Sequence, residues 1–102
     1  MSKRTQDWNE GLARDLQDPE FAREFIIAAL AEGTSLQHVL AKVIRLHGVT
    51  EFARKARMAP TNVLRAVGPR ANPTLETLRR LLKPFGLEVS AVATATKPKH
   101  AA

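Results

Sequence analysis

The sequence predicts an all-α domain of five short helices, closed at its C-terminal end by one short β-strand. Three observations carry this reading. Large apolar residues recur at three- and four-residue intervals from Phe21 to Phe85, the period of helices that bury one face. Helix-starting residues (Asp18-Pro19, Thr34-Ser35, Pro60, Asn72-Pro73-Thr74) alternate with helix-ending ones (Gly33, Gly48, Gly68-Pro69, Gly86) at spacings that leave room for little else. A single stretch, Leu87-Glu88-Val89-Ser90-Ala91, alternates apolar and polar residues in the manner of a strand.

The first 17 residues mix charges around a lone Trp8 and show no sustained apolar period, so a flexible N-terminal arm is expected there. The folded domain is then expected over residues 18–93, with residues 94–102 as a disordered basic tail carrying Lys97, Lys99 and His100. Its first helix opens on Asp18-Pro19-Glu20, an acidic N-cap, a proline at the first helical position and an acid in the first turn. The expected inward face is Phe21, Phe25, Ala28 and Ala29, with Ala22 and Ile26 beside it, and Gly33 stops the helix. Thr34-Ser35-Leu36-Gln37 fits a capping box for a second helix, whose face is Leu36, Val39, Leu40, Val43 and Leu46 and whose end is Gly48. Two shorter helices follow, about residues 50–56 and 60–67, joined by a tight turn at residues 57–59. A fifth opens at Asn72-Pro73-Thr74, presents Leu75, Leu78, Leu81, Leu82 and Phe85, and closes at Pro84 and Gly86.

At 102 residues the chain has the size of one domain. It contains no cysteine and no apolar run near the roughly 18 residues of a membrane span, and the residues after Met1 are not followed by a signal-peptide hydrophobic stretch. A cytoplasmic protein without a membrane partner is expected.

The informative segment is residues 49–67. Two short helices crossing steeply need a small residue at their contact; Ala53 supplies it, with Phe52 and Ala56 facing inward and Met58 and Val63 closing the pair from the second helix. That is the apolar skeleton of a helix-turn-helix. The positions left facing outward at the start of its second helix are Pro60, Thr61, Asn62, Leu64 and Arg65.

Charge points the same way. Residues 1–48 hold six Lys/Arg against seven Asp/Glu, residues 49–102 ten against three, so the whole net charge of +6 arises in the second half. Such segregation suits a polyanion, because neutralising phosphates releases condensed counterions. Thr61 can bond a base edge or a phosphate, Asn62 suits adenine, and Arg65 suits guanine or the backbone; Arg54, Lys55, Arg57 and Arg70 surround them as expected phosphate clamps. Double-stranded DNA is the expected partner. The strand adds a homodimer, since one edge strand on a helical domain leaves its backbone unpaired unless a two-fold mate lays Leu87, Val89 and Ala91 of a second copy against it.

Asp18-Pro19-Glu20-Phe21-Ala22, the helix-turn-helix segment, Asn72-Pro73-Thr74-Leu75-Glu76-Thr77-Leu78 and Phe85-Gly86-Leu87-Glu88-Val89 together resemble the HigA-like antidote proteins of addiction modules, over about residues 18–92. The resemblance implies a Cro/repressor-like helix-turn-helix fold. It also implies a type II antitoxin that represses its own operon as a dimer and neutralises a small basic ribonuclease toxin of the RelE/HigB kind. Such relatives carry glycine in the turn where this chain has Arg57. Since a non-glycine residue held left-handed costs on the order of 1 kcal/mol, a differently bent turn is expected. They also carry Ser-Arg-Glu where this chain has Ala59-Pro60-Thr61, so no operator sequence carries over.

A toxin would find its natural contact in the acidic-leaning first half, through Trp8, Phe21 and Phe25. Two other readings stay open. One is a phage or mobile-element repressor without a toxin; the other is a helical protein-protein adaptor docking through Phe21, Phe25 and Ile26. An enzyme is not expected: His38, His47 and His100 stand outside any metal-ligand spacing, no phosphate-cradling glycine loop is present, and neither cofactor nor metal is called for. His47, near a helix C-terminus, is expected to be solvated or to cap that end.

Overall fold

The computed structural model describes residues 3–95, and their side chains from residue 9 onward. It is all-α. The helices are α1 (Lys3–Asp15), α2 (Pro19–Ala31), α3 (Leu36–His47), α4 (Val49–Ala56), α5 (Pro60–Ala66) and α6 (Leu75–Leu82), followed by a 3₁₀ turn at Lys83–Phe85. No described helix is long and apolar enough to cross a membrane.

The expected arm is a helix. The only large apolar residues of α1 are Trp8 and Leu12; Leu16, just after it, continues the spacing of four, and Leu12 and Leu16 are buried against the rest of the core. A stripe this narrow is diluted by the charged residues around it, yet two leucines suffice to seat the helix on α3. The folded body therefore begins before Asp18. The side chain of Trp8 and residues 96–102, most of the expected tail, lie outside the described part.

α2 starts as its sequence dictates, with the Asp18 carboxylate accepting from the Glu20 N–H at 3.0 Å and Pro19 at the first position. Its inward face is rotated from the expected one. Ala22 and Ile26 are fully buried, Phe25 and Ala29 half-buried, and Phe21 and Ala28 exposed. The packing of α2 against both α3 and the 3₁₀ turn favours the small Ala22 at the contact over the bulkier Phe21.

The capping box at α3 is replaced by a simpler cap. Ser35, one residue after Thr34, is the N-cap, its hydroxyl accepting from the His38 N–H at 3.1 Å. Gln37 reaches across instead, and its amide donates to the carbonyls of Gly68 (2.7 Å) and Ala71 (3.1 Å). The loop after α5 is thereby tied to α3. Val39, Leu40, Val43 and Ile44 form the centre of the core, with Leu36 and Leu46 at its margin.

Gly48 (φ 108°, ψ 114°) is at once the end of α3 and the start of α4, a junction that no side chain caps. α6 is capped by Thr74, whose hydroxyl accepts from the Thr77 N–H at 3.1 Å. Leu81, Leu82 and Phe85 are buried and Leu78 half-buried, whereas Leu75, expected inward, is 50% exposed in the first turn. Phe85 stacks on Phe52 with centroids 5.4 Å apart, joining the 3₁₀ turn to α4.

Residues 87–91 form no strand in the single chain. A strand exists only against a neighbour, and no described segment offers one.

His47 departs from the solvated cap expected of it. It is buried, its ring edge-on to Phe52, and its Nδ1–H donates to the Leu16 carbonyl at 3.4 Å while the Gln17 amide donates to the His47 carbonyl at 3.2 Å. Burial, with the Lys55 charge adding to it, pushes the imidazole pKa down from its ordinary value; the Leu16 carbonyl and Glu51 oppose the shift.

Candidate nucleic-acid interface

The α4–α5 pair packs through the residues its sequence reserves for the purpose. Phe52, Ala53 and Ala56 are buried on α4, Val63 and Ala66 on α5, and Met58 is half-buried between them. Ala53 at the crossing lets the two short helices approach closely.

The turn between them is set by Arg57, which lies in the left-handed region at φ 57°, ψ 48°. Its N–H donates to the Arg54 carbonyl (3.2 Å) and the Met58 N–H to the Ala53 carbonyl (3.0 Å). This paired closure is the Schellman stop that glycine usually provides. Arginine here adopts the left-handed conformation that glycine more often supplies.

All five outward positions of α5 are exposed: Pro60, Thr61, Asn62, Leu64 and Arg65. They divide by what lies beside them. Asn62 and Arg65 line a groove of about 660 Å³ together with Arg57 and Met58 from the turn, Asn72, Pro73 and Thr74 from the following loop, and Glu76, Thr77 and Arg80 from α6. Pro60, Thr61 and Leu64 stand outside that groove. Of the expected clamps, Arg57 alone lines it. Arg54 is engaged by Glu51 at 3.1 Å, Lys55 borders the small cavity beside His47 and Phe85, and Arg70 is exposed elsewhere on the α5–α6 loop.

The groove has a distinct chemistry. Three guanidiniums reach it, and the single carboxylate there, Glu76, is paired with Arg80 at 3.7 Å. Arg57 and Arg65 make no ion pair among the described residues. Asn62, Asn72, Thr74 and Thr77 add amide and hydroxyl groups able to bond phosphate oxygens or base edges. Asn72, Thr77 and Arg80 were not among the expected DNA contacts, because only the packing of α6 brings them beside α5. The Glu76 and Arg80 spacing of four was the one local sign of them.

Among the described residues no group of three or more His, Asp or Glu side chains comes together to hold a metal ion. Comparison with known protein families, curated proteins and solved structures returns no match to this chain.

Proposed function

We propose that this chain is a sequence-specific repressor that lays α5 in the major groove of double-stranded DNA. The observation that supports this most is the pairing of an apolar seat, Ala53 and Val63, with two exposed guanidiniums, Arg57 and Arg65, that make no ion pair among the described residues. A solvated charged surface would distribute its counter-charges; here the acids of the second half stand at Glu51, Glu76 and Glu88, and two of these are occupied by Arg54 and Arg80. Asn62 and Arg65 then read bases, Thr61 and Leu64 flank them, and Arg57 and Arg80 hold phosphates.

The reading extends, by the resemblance stated above, to a cytoplasmic type II antitoxin that acts as a homodimer. It represses its own operon and neutralises a small basic ribonuclease toxin. The role is one of binding and not catalysis. Phe21, 39% exposed at the start of α2 between Glu20 and Glu24, supports a docking point for such a toxin, with Phe25 half-buried behind it.

Anisotropy titration of the protein with a duplex from its own upstream region tests the DNA half. Arg65→Ala is expected to weaken binding by roughly 1–3 kcal/mol and to relax preference at one base pair, and Thr61→Ala to weaken it less. Indistinguishable isotherms for the three proteins would overturn the assignment. Co-purification with the product of an adjacent gene for a small basic ribonuclease tests the antitoxin half, and abolition of that co-purification by Phe21→Ala is expected.

A further inference from the structure

The second half of α2 is apolar on every side. Residues 25–31 carry no polar side chain, and while Ile26 turns inward, Ile27 (45%), Leu30 (41%), Ala28 and Ala31 remain exposed. A helix that is hydrophobic all round belongs in an interior, so this outer face lacks its cover in a single copy of the chain.

Arg23, Ile27 and Leu30, spaced four and then three residues apart, form one stripe along α2. At its head the Arg23 guanidinium lies against Gly86; a Cβ on that glycine would stand 2.9 Å from Nη1. The chain beyond the 3₁₀ turn thus leaves the folded body at the head of the stripe. Leu87 is still anchored, its N–H donating to the Leu82 carbonyl at 3.2 Å. Residues 88–92 make no backbone hydrogen bond among the described residues, and Val89 and Val92 are 42% and 85% exposed.

Charge decides what covers these two neighbouring features. In a chain of net charge +6, residues 25–31 and 89–96 are both free of charged side chains. A second copy, equally basic, can approach only where like charges are not brought together. A partner selected for opposite charge would gain nothing from an uncharged face. A two-fold axis also sets residues 88–92 antiparallel to themselves, which gives their unpaired N–H and C=O groups a partner of matching length.

We propose that a second copy of this chain covers the Ile27 and Leu30 face of α2, with residues 87–92 of the two copies paired antiparallel beside it. This rests on the dimer of the proposed function and adds the helix face that completes it. Phe21 lies on the opposite flank of α2 and stays open to another protein in the assembled pair.

Sedimentation equilibrium of the full chain, with Ile27→Arg/Leu30→Arg as the variant, tests the proposal. The wild type is expected to be a dimer at tens of micromolar, and the variant, with native helix content by circular dichroism, to dissociate about tenfold or more readily. Because the chain has no cysteine, Ile27→Cys supplies a second readout that needs no loss of dimer. It is expected to cross-link between copies with a short bis-maleimide, while Lys42→Cys, on the exposed side of α3, is not. A monomeric wild type, a variant that stays dimeric, or equal cross-linking at both positions would overturn the proposal. Binding to a half-site duplex separates this result from the DNA reading, since a monomeric variant that still binds the half-site loses only the interface. A dimer that binds no duplex keeps the interface and loses the repressor.

Discussion

Arg57 is the only non-glycine residue with positive φ among the described residues, and it sits at the one turn that sets the angle between α4 and α5. Holding an L-residue left-handed costs about 1 kcal/mol or more, and glycine removes that cost while adding freedom to the unfolded chain. Arg57→Gly is therefore expected to raise stability by about 0.5 kcal/mol, a melting temperature higher by roughly 2–4 °C, and at the same time to weaken DNA binding. A variant that melts higher and binds duplex as well as wild type would show that the guanidinium has no role at the groove. Arg57 thus occupies a position where glycine would be cheaper, and its exposed guanidinium lines the groove beside Arg65.

His47 supplies a pH dependence whose sign follows from its burial. Its folded-state pKa lies below the ordinary 6.5, so the unfolded chain takes up the proton first. Its contribution is complete above about pH 6.5 and is lost as the pH falls through the lowered folded-state value. Thermal melts at about pH 7.5 and about pH 5 are expected to differ for the wild type and to differ less for His47→Leu, which keeps the apolar contact with Phe52. An undiminished difference in the variant would place the acid sensitivity elsewhere.

At the scale of elements, α1 is where sequence and structure part most clearly. Trp8, Leu12 and Leu16 follow helical spacing, but three apolar residues among so many charges are too few to stand out, and the value of Leu12 and Leu16 lies in the core that receives them. If α1 is an integral part of the fold, Leu16→Ala costs about 2–5 kcal/mol in denaturant unfolding, whereas on a loose arm the same change would cost under about 0.5 kcal/mol. The starts of α2, α5 and α6 were legible because their signals are local: Asp18-Pro19, Pro60 and Thr74 each start a helix by their own chemistry, whereas α3 is capped by Ser35, one residue beyond the expected Thr34, and α4 starts with no side-chain cap. Which face turns inward was less so. Phe21 and Leu75 are exposed although their types favour burial, because the partner surfaces lie against Ala22 and Leu78. Gln37 shows the same limit for polar groups, since a local capping pattern gave way to two bonds with carbonyls more than thirty residues away. The outward residues of α5 were legible from the Ala53 and Val63 skeleton, while Thr77 and Arg80 join them only through the docking of α6.

At the scale of the whole molecule, the chain separates its surfaces by chemistry. Guanidiniums gather at the groove between α5 and α6, the uncharged surface runs along the second half of α2 and residues 89–95, and carboxylates weight the first half. Such a division suits a two-fold repressor whose DNA-facing groove and self-contact use different parts of the sequence. If Arg57 and Arg65 neutralise phosphate or grip bases in a DNA complex, as proposed, the salt dependence of binding shows it most directly. In a plot of log affinity against log salt for duplex DNA, the wild type is expected to fall steeply, and Arg57→Ala/Arg65→Ala to lose about 0.9 unit of slope for each phosphate contact removed. A flat wild-type line, or one whose slope the double substitution leaves unchanged, would contradict it.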